Sequence, residues 1–241
     1  MLEVSVQTNV GKTRSVNQDA VFASAVPIGP LPNLFIVADG MGGHNGGDVA
    51  SKTAVAHFCA YIRAAGDTGE SFLDLLTSAA NTANMAVFSQ AEMNPDLAGM
   101  GTTLTACTIA DGKCNIVHLG DSRAYAVVPG QIKQLTTDHS YVNEMVKAGQ
   151  ITQNEARDHP KRNVLTRVLG INAKMSADGY VTDAEPGSVI LLCSDGLYNM
   201  VTENEITDLI NSAPEDPAEA LVAAANNNGG ADNISVVVVK L

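Results

Sequence analysis

Four β-like runs follow one another through the middle of this 241-residue chain, joined by connections of only two residues, and this feature constrains the fold most. The connections are Asp111-Gly112, Gly120-Asp121 and Pro129-Gly130. Parallel strands need a crossover of a dozen or more residues, so the short connections predict antiparallel neighbours. The pattern therefore predicts an antiparallel meander with strands at 102–110, 113–119, 122–128 and 131–135.

Helical patterns lie on both sides of this meander. Apolar residues recur at helical spacing over 49–63 and 70–90. Thr202 with Glu205 forms a capping box, and Asp216-Pro217 is a second helix start. Further strands are predicted at 4–8, 20–26, 34–38, 175–182, 189–193 and 234–239. The order predicts an α+β chain with mostly antiparallel sheets and helices as separate layers.

Composition excludes several classes of function. The net charge is −12 and no basic patch is present, which argues against a nucleic-acid or anionic-membrane partner. No apolar run approaches the ~20 residues of a membrane-spanning helix. The start of the chain, Met1-Leu2-Glu3-Val4, lacks a basic segment followed by an apolar one. We therefore expect a cytoplasmic protein.

The four cysteines are not spaced as metal ligands or as a redox pair, and each lies in an apolar stretch. We expect them to be buried free thiols in a reducing compartment, which disfavours a zinc site. No repeat or long linker divides the chain, so residues 1–241 are expected to form one domain. A monomer is the default expectation.

Three aspartates lie at the ends of buried apolar runs. Asp39-Gly40 ends the run that begins at Leu34, Asp195-Gly196 ends the run that begins at Val189, and Asp232 opens the last run. A strand end holds a carboxylate rigidly, and glycine lets the backbone carbonyl turn inward. Three such carboxylates from distant parts of the chain predict a shared site for hard divalent cations, and hence metal-assisted chemistry.

Other side chains become candidates beside these three. Asp19 could join Asp39, and the nearby Arg14 is suited to clamping a phosphate with two parallel hydrogen bonds. Asp121 lies in what we interpret as a tight hairpin turn and is a candidate extra ligand. His44 follows the metal carboxylate in a flexible glycine-rich loop, where an imidazole of near-neutral pKa could protonate a leaving alkoxide.

Two further segments have more than one interpretation. The glycines of residues 40–47 could cradle a phosphate, but they lack the dinucleotide-binding spacing and more plausibly let the backbone pack close to metal ions. Asp138-His139-Ser140 suits a helix cap at least as well as a site. Residues 140–160 are polar, weakly helical and expected to be mobile.

Taken in order, these motifs resemble the metal-dependent protein phosphatases of the PPM class, the protein phosphatase 2C family. The resemblance covers essentially the whole chain and is greatest to the small bacterial stand-alone members. The residues that carry it are Arg14, Asn17-Gln18-Asp19, Val37 to His44, Gly101-Thr102-Thr103, Gly120-Asp121-Ser122-Arg123, Asp138-His139-Ser140, Ser194-Asp195-Gly196 and Asp232-Asn233.

The resemblance implies a four-layer α-β-β-α sandwich, in which helix pairs flank two central antiparallel sheets. It implies two Mn²⁺ or Mg²⁺ ions, with Asp121 matching a position that, with Asp195, holds a third, weaker ion. It also implies that Arg14 binds phosphate, that His44 is the general acid, and that residues 140–174 form a flap that shapes substrate access. The implied ligands are Asp39, the Gly40 carbonyl, Asp195 and Asp232, with Asp19 in contact mainly through water.

The implied activity is hydrolysis of phosphoserine and phosphothreonine in proteins by a metal-activated water, counteracting a bacterial Ser/Thr kinase. A hydrolase of small phosphate esters would keep the same residues. A regulatory pseudophosphatase would lack ligands, and the complete set of Asp39, Asp195 and Asp232 argues against it. A structural calcium site is disfavoured because no loop carries alternating acidic ligands.

Overall fold

The computed structural model describes residues 2–66, 69–128, 130–212 and 215–241, except for the side chains of residues 43–45. Each predicted strand and each of the four predicted helices is present, with shifted ends. The strands are β1 (Glu3–Asn9), β2 (Asp19–Ser24), β3 (Leu34–Met41), β4 (Gly101–Thr102), β5 (Leu104–Ala110), β6 (Lys113–Leu119), β7 (Arg123–Val128), β8 (Gln131–Gln134), β9 (Asp178–Asp183), β10 (Val189–Cys193) and β11 (Ile234–Lys240). The helices are α1 (Gly43–Ala64), α2 (Phe72–Met93), α3 (Tyr141–Lys147), α4 (Gln153–Arg157), α5 (Asp195–Tyr198), α6 (Glu203–Asn211) and α7 (Pro217–Asn227), and Pro95–Leu97 forms a 3-10 turn.

The strands form two antiparallel sheets that are packed face to face. One sheet has the order β1-β11-β10-β7-β8, and the other has the order β2-β3-β5-β6-β9 with β4 against β3. Helices α1 and α2 cover the outer face of the second sheet, and α6 and α7 cover that of the first. The predicted α+β fold, with two antiparallel sheets flanked by helices, is confirmed.

The continuous apolar runs follow from burial on both faces of the central strands. In β3, Leu34 and Ile36 pack against the α1–α2 layer, while Phe35 and Val37 pack against the other sheet. Successive side chains point to opposite faces of a strand, so a strand between two layers is apolar at every position. The aspartate that ends such a run lies where these layers end.

The prediction of one continuous meander was wrong at Gly120-Asp121. Strand β6 pairs with β5 and β9, whereas β7 pairs with β8 and β10. This connection is therefore not a hairpin turn but passes from one sheet to the other. A short connection shows that two successive strands are not joined by a parallel crossover. It does not show that the two strands form hydrogen bonds with each other. Gly120 has φ +106°, and an added Cβ there would lie 2.5 Å from Thr103 Cγ2, so glycine permits this corner.

Helix α1 begins at Gly43, within the glycine-rich segment, rather than near Val49. Glycine disfavours helix interiors, which is why the sequence suggested a loop. Here the glycines allow close packing between backbones: a Cβ on Gly40 would lie 2.0 Å from the Gly47 carbonyl oxygen. The interpretation of this segment as a flexible loop is therefore wrong: its second half is the start of a helix packed on β3.

Local signals elsewhere are confirmed. At the start of α6, the Thr202 side chain accepts a hydrogen bond from the Glu205 backbone amide, and the Glu205 side chain accepts one from the Thr202 backbone amide. At the start of α7, the Asp216 side chain accepts from the Glu219 backbone amide. All four cysteines are buried and free. Pro129, part of the predicted connection Pro129-Gly130, lies outside the described residues. Among the described residues, no helix has the length and apolarity needed to cross a membrane.

Candidate metal centre

Two carboxylates face each other across neighbouring strands. Asp19, at the start of β2, is the register partner of Asp39, near the end of β3. Like charges directly opposite each other destabilise a sheet. Burial raises the pKa of Asp39 well above its usual range, and the charges of Asp19 and Asp195 raise it further. Burial also raises the pKa of Asp19 to about 6.

Asp195 joins this pair from the other sheet. Strand β10 ends at Cys193, and Asp195 opens α5 after Ser194. The Ser194 hydroxyl donates to Asp19 Oδ2 at 2.8 Å and accepts from the Ser235 amide at 2.9 Å, so one side chain joins the ends of three strands. Burial, followed by the charges of Asp121 and Asp232, raises the pKa of Asp195 well above its usual range.

Asp232 lies just before β11 and forms an ion pair with Arg14. The Arg14 Nη2 atom donates to Asp232 Oδ2 at 2.7 Å, and the arginine side chain is 54% exposed. This hydrogen bond and the charge of Asp232 raise the pKa of Arg14, with smaller contributions from Asp195 and Asp39. The structure thus brings Arg14 to the exposed side of the acidic cluster.

Asp121 lies at the corner between the two sheets and interacts with the same cluster. Burial, then the charge of Asp138, raises the pKa of Asp121 to about 6. Asp121 is in turn the largest charge acting on Asp195. The Tyr198 hydroxyl of α5 donates to the Asp121 carbonyl oxygen at 3.1 Å, which ties the corner to the helix that carries Asp195.

The donor set suits hard divalent cations. Asp19 Oδ1 and Asp195 Oδ1 are buried and have no hydrogen-bond partner in the described residues, so a cation would satisfy both. Carboxylate and carbonyl oxygens are the ligands that Mg²⁺ and Mn²⁺ prefer. Within the described ranges, no three His, Cys, Asp or Glu side chains converge on a single ion. Such a spread arrangement suits ions that keep several water ligands, as Mg²⁺ does.

Two positioning side chains were not singled out from the sequence. The side-chain Nδ2 of Asn233 donates to the carbonyl oxygens of Val10 (2.9 Å) and Val16 (3.0 Å). Its Oδ1 accepts from the backbone amide of Gln18 at 2.8 Å. Thr103 Oγ1 accepts from the Asp39 amide at 2.8 Å. Both residues lie in the motifs that carry the resemblance, and this was the only signal that marked them.

The segment around Asp138 is structural. Arg123 donates to both carboxylate oxygens of Asp138, with the shortest contact at 2.7 Å, and neither side chain is more than 18% exposed. Ser140, not Asp138, caps α3. His139 is buried, its Nε2 lies 3.1 Å from Asp178 Oδ2, and burial lowers its pKa. The side chain of His44, the predicted general acid, is not among the described atoms. The other predicted site residues are all described.

Cavity volume does not mark this site. A surface cavity of about 510 Å³ is lined by Pro27, Pro32, Phe72 and neighbouring residues, together with Ile109 to Asp111. These residues lie at the ends of β3 and β5 that are remote from Asp39. The acidic cluster lies at the opposite end of the sandwich, where β3 ends.

Comparison with known proteins gives a consistent result. The sequence profile of the family described as Protein phosphatase 2C matches residues 7–228. The serine/threonine phosphatase stp of Listeria welshimeri is 37% identical over 245 residues, covering 99% of this chain and 96% of that protein. The crystal structure of serine/threonine phosphatase Stp1 from Staphylococcus aureus superposes with a TM-score of 0.92 at 33% identity, covering 100% of this chain and 95% of that one. The catalytic domain of the serine/threonine protein phosphatase PstP, solved in complex with two manganese ions, has a TM-score of 0.86 at 34% identity, covering 99% and 97%.

Proposed function

Because the chain belongs to the protein phosphatase 2C family and is a serine/threonine protein phosphatase of the type found in Listeria and Staphylococcus, we propose that it hydrolyses phosphoserine and phosphothreonine with two Mn²⁺ or Mg²⁺ ions as cofactors. One observation carries the proposal of metal dependence. Asp19 and Asp195 each have a buried carboxylate oxygen with no hydrogen-bond partner among the described residues, and the charge of Asp232 acts on both carboxylates. The two manganese ions of the PstP structure support the same assignment.

The proposed ligands are Asp39, the Gly40 carbonyl, Asp195 and Asp232, with Asp19 acting mainly through water. Asp121, with Asp195, is the proposed site of a third, weaker ion. When bound, the ions supply Lewis-acid stabilisation of the phosphoryl charge and make water a stronger nucleophile near neutral pH. The protein contributes rigidity, because the carboxylates are fixed by strand ends and by the hydrogen bonds of Ser194 and Thr103.

Arg14 is the proposed phosphate-binding residue. It uses Nη2 to hold Asp232, and its other guanidinium N–H groups make no hydrogen bond to the described residues. A guanidinium can bind two phosphoryl oxygens in parallel. In the proposed role, Arg14 neutralises charge on the phosphoryl group while its Nη2 stays bonded to Asp232, and the exposure of its side chain supports this.

His44 is the proposed general acid, giving a proton to the departing serine or threonine oxygen. This role rests on the sequence, and a leaving-group comparison tests it. His44→Gln should lower turnover of a phosphothreonine peptide far more than that of p-nitrophenyl phosphate, because p-nitrophenolate leaves as a stable anion. An equal loss with both substrates would assign His44 a role other than proton transfer.

The activity is tested by phosphate release from a phosphothreonine peptide, with Mn²⁺ and with EDTA. Turnover should require the metal and should fall at least about 100-fold in Asp195→Asn, since ligand geometry controls the rate. Asp183→Asn is the matched control, because Asp183 is exposed on β9. Metal-independent turnover, or full activity of Asp195→Asn, would reject the two-metal site. Faster turnover of small esters than of every phosphopeptide would favour the small-ester alternative.

We further propose that the substrates are proteins phosphorylated by a bacterial Ser/Thr kinase, that the protein acts in the cytoplasm, and that residues 1–241 form a single-domain monomer. The continuous packing of both helical layers on one sandwich supports the single domain. Light scattering on the purified protein tests the monomer, and a dimer at micromolar concentration would overturn it.

A further inference from the structure

Residues 140–174 carry a charge opposite to that of the rest of the chain. They contain six of the 14 Lys and Arg residues but only three of the 26 Asp and Glu residues. The chain as a whole has a net charge of −12. A positive segment in such a chain creates a local potential that differs in sign from its surroundings.

Three cations of this segment form what we call the basic flap surface: Arg157, Lys161 and Arg162. All three are exposed, and none forms an ion pair with a carboxylate among the residues that the structure describes. By contrast, Lys147 pairs with Glu144 and Arg167 pairs with Asp178. The charge of the basic flap surface is therefore available to a partner.

The basic flap surface is anchored rather than free. Lys161 Nζ lies 5.0 Å from the centroid of the Tyr141 ring, and the Tyr141 amide donates to the Val164 carbonyl oxygen at 2.8 Å. The Arg162 amide donates to the His159 carbonyl oxygen at 3.0 Å. These contacts hold residues 159–164, which include Lys161 and Arg162, against Tyr141 at the start of α3.

The segment joins the body of the protein beside the candidate metal centre. Ser140 bridges to Leu165, and the neighbouring His139 amide donates to the Gly120 carbonyl oxygen at 2.7 Å. Gly120 immediately precedes Asp121. On the other side, Leu169 pairs with Thr102, whose hydroxyl donates to the Asp39 carbonyl oxygen at 2.9 Å. Both roots of the segment thus contact residues that adjoin the carboxylate cluster.

We propose that the basic flap surface binds acidic residues that flank the phosphorylated residue, so that acidic phosphopeptides are the favoured substrates. This inference rests on the proposed phosphatase function and adds a substrate class to it. A chain of net charge −12 repels acidic peptides, and a basic surface on a segment whose ends adjoin the carboxylate cluster counteracts that repulsion locally.

The test compares three phosphothreonine peptides of equal length, flanked by acidic, neutral or basic residues. The wild-type protein with Mn²⁺ should show kcat/KM for the acidic peptide about tenfold above that for the basic one at low salt, mainly through KM. The preference should shrink as the salt concentration rises. Arg157→Gln/Lys161→Gln should remove most of it. Arg157→Gln/Arg162→Gln, which keeps Lys161 on Tyr141, should act in the same direction.

Lys113→Gln/Lys133→Gln is the matched control, since it removes the same charge from strands outside the flap and should leave the preference unchanged. Turnover of p-nitrophenyl phosphate reports the chemistry separately and should be equal in all variants. If the wild-type protein with Mn²⁺ does not hydrolyse p-nitrophenyl phosphate, the phosphatase function itself is rejected. Normal turnover with no acidic preference, or an equal effect of the control variant, would overturn the inference alone.

Discussion

At the scale of single residues, Asn233 shows how one buried amide sets the geometry of a carboxylate site. Three hydrogen bonds of its side chain hold the segment from Val10 to Gln18 against the start of β11. That segment carries Arg14 and leads into Asp19. Asn233→Ala should lower kcat/KM for a phosphothreonine peptide about 10- to 100-fold, as expected for residues that orient ligands. The loss should be non-additive with Arg14→Ala in a double-mutant cycle.

Asn33 provides the control for this residue-scale prediction. It is also buried and binds the backbone of Ile109 through both amide atoms, but it lies at the end of β3 remote from Asp39. Asn33→Ala should lower the free energy of unfolding to a degree similar to that of Asn233→Ala, and it should leave kcat/KM unchanged. If the Asn233 and Asn33 variants have the same kinetic parameters, Asn233 contributes stability only.

At the scale of elements, the packing of α1 on β3 depends on two glycines. A Cβ on Gly40 would meet the Gly47 carbonyl oxygen at 2.0 Å and the Gln18 carbonyl oxygen at 2.6 Å. Gly40→Ala must therefore shift α1 or β2, and a displacement of about 1 Å at a reaction centre costs about 100-fold in rate. We expect a loss of that size in Mn²⁺-dependent turnover. Gly66→Ala, where the added Cβ meets nothing within 4 Å, should retain full activity.

A second element-scale prediction concerns the pair of Arg123 and Asp138, which joins β7 to the segment before α3. Arg123 also lies over the Tyr198 ring, with its guanidinium carbon 3.7 Å from the centroid. Removing one partner of a buried pair leaves an uncompensated charge, so Arg123→Ala should cost about 3–5 kcal/mol in the free energy of unfolding. Lys113→Ala breaks an exposed pair with Asp183 and should change little. Urea denaturation measures the free energy of unfolding of both variants. An equal loss in the two variants would contradict the conclusion that the pair of Arg123 and Asp138 stabilises the fold.

At the scale of the whole molecule, the carboxylate cluster makes stability depend on both pH and metal. Burial raises the pKa of Asp19 and Asp121 to about 6. Between the usual aspartate value and pH 6, the folded metal-free protein binds more protons than the unfolded chain, so its stability falls as pH rises through this window. A cation must displace these protons, so its binding strengthens with pH.

The rise in Tm caused by Mn²⁺, relative to EDTA, should therefore grow as pH increases from 5 to 7. At a metal concentration 100 times the Kd, the expected stabilisation is about 2.7 kcal/mol. Buried His118, whose pKa is lowered to about 3, affects both samples equally and cancels in the difference. Asp195→Asn should weaken the pH dependence and Asp183→Asn should not. A Tm difference that is constant with pH would contradict the prediction.

The sequence alone determined the features that depend on neighbouring residues. Helix starts at Thr202 and Asp216 follow from hydrogen bonds that span three residues. The strands follow from apolar runs, and the motif aspartates identify the candidate ligands. Each of these signals depends only on residues that are close together in the sequence, so it can be recognised without knowledge of the fold.

Only the tertiary structure decided what depends on residues far apart in the chain. It places the corner at Gly120 between two sheets, begins α1 among glycines, and joins Arg14 to Asp232 and Asn233 to Gln18 across 218 and 215 residues. No local propensity encodes such contacts, because each is fixed by the packing of two sheets and their helices. The same packing buries four of the aspartates and raises their pKa values, and this turns separate motif residues into one candidate metal centre. The four are Asp19, Asp39, Asp121 and Asp195.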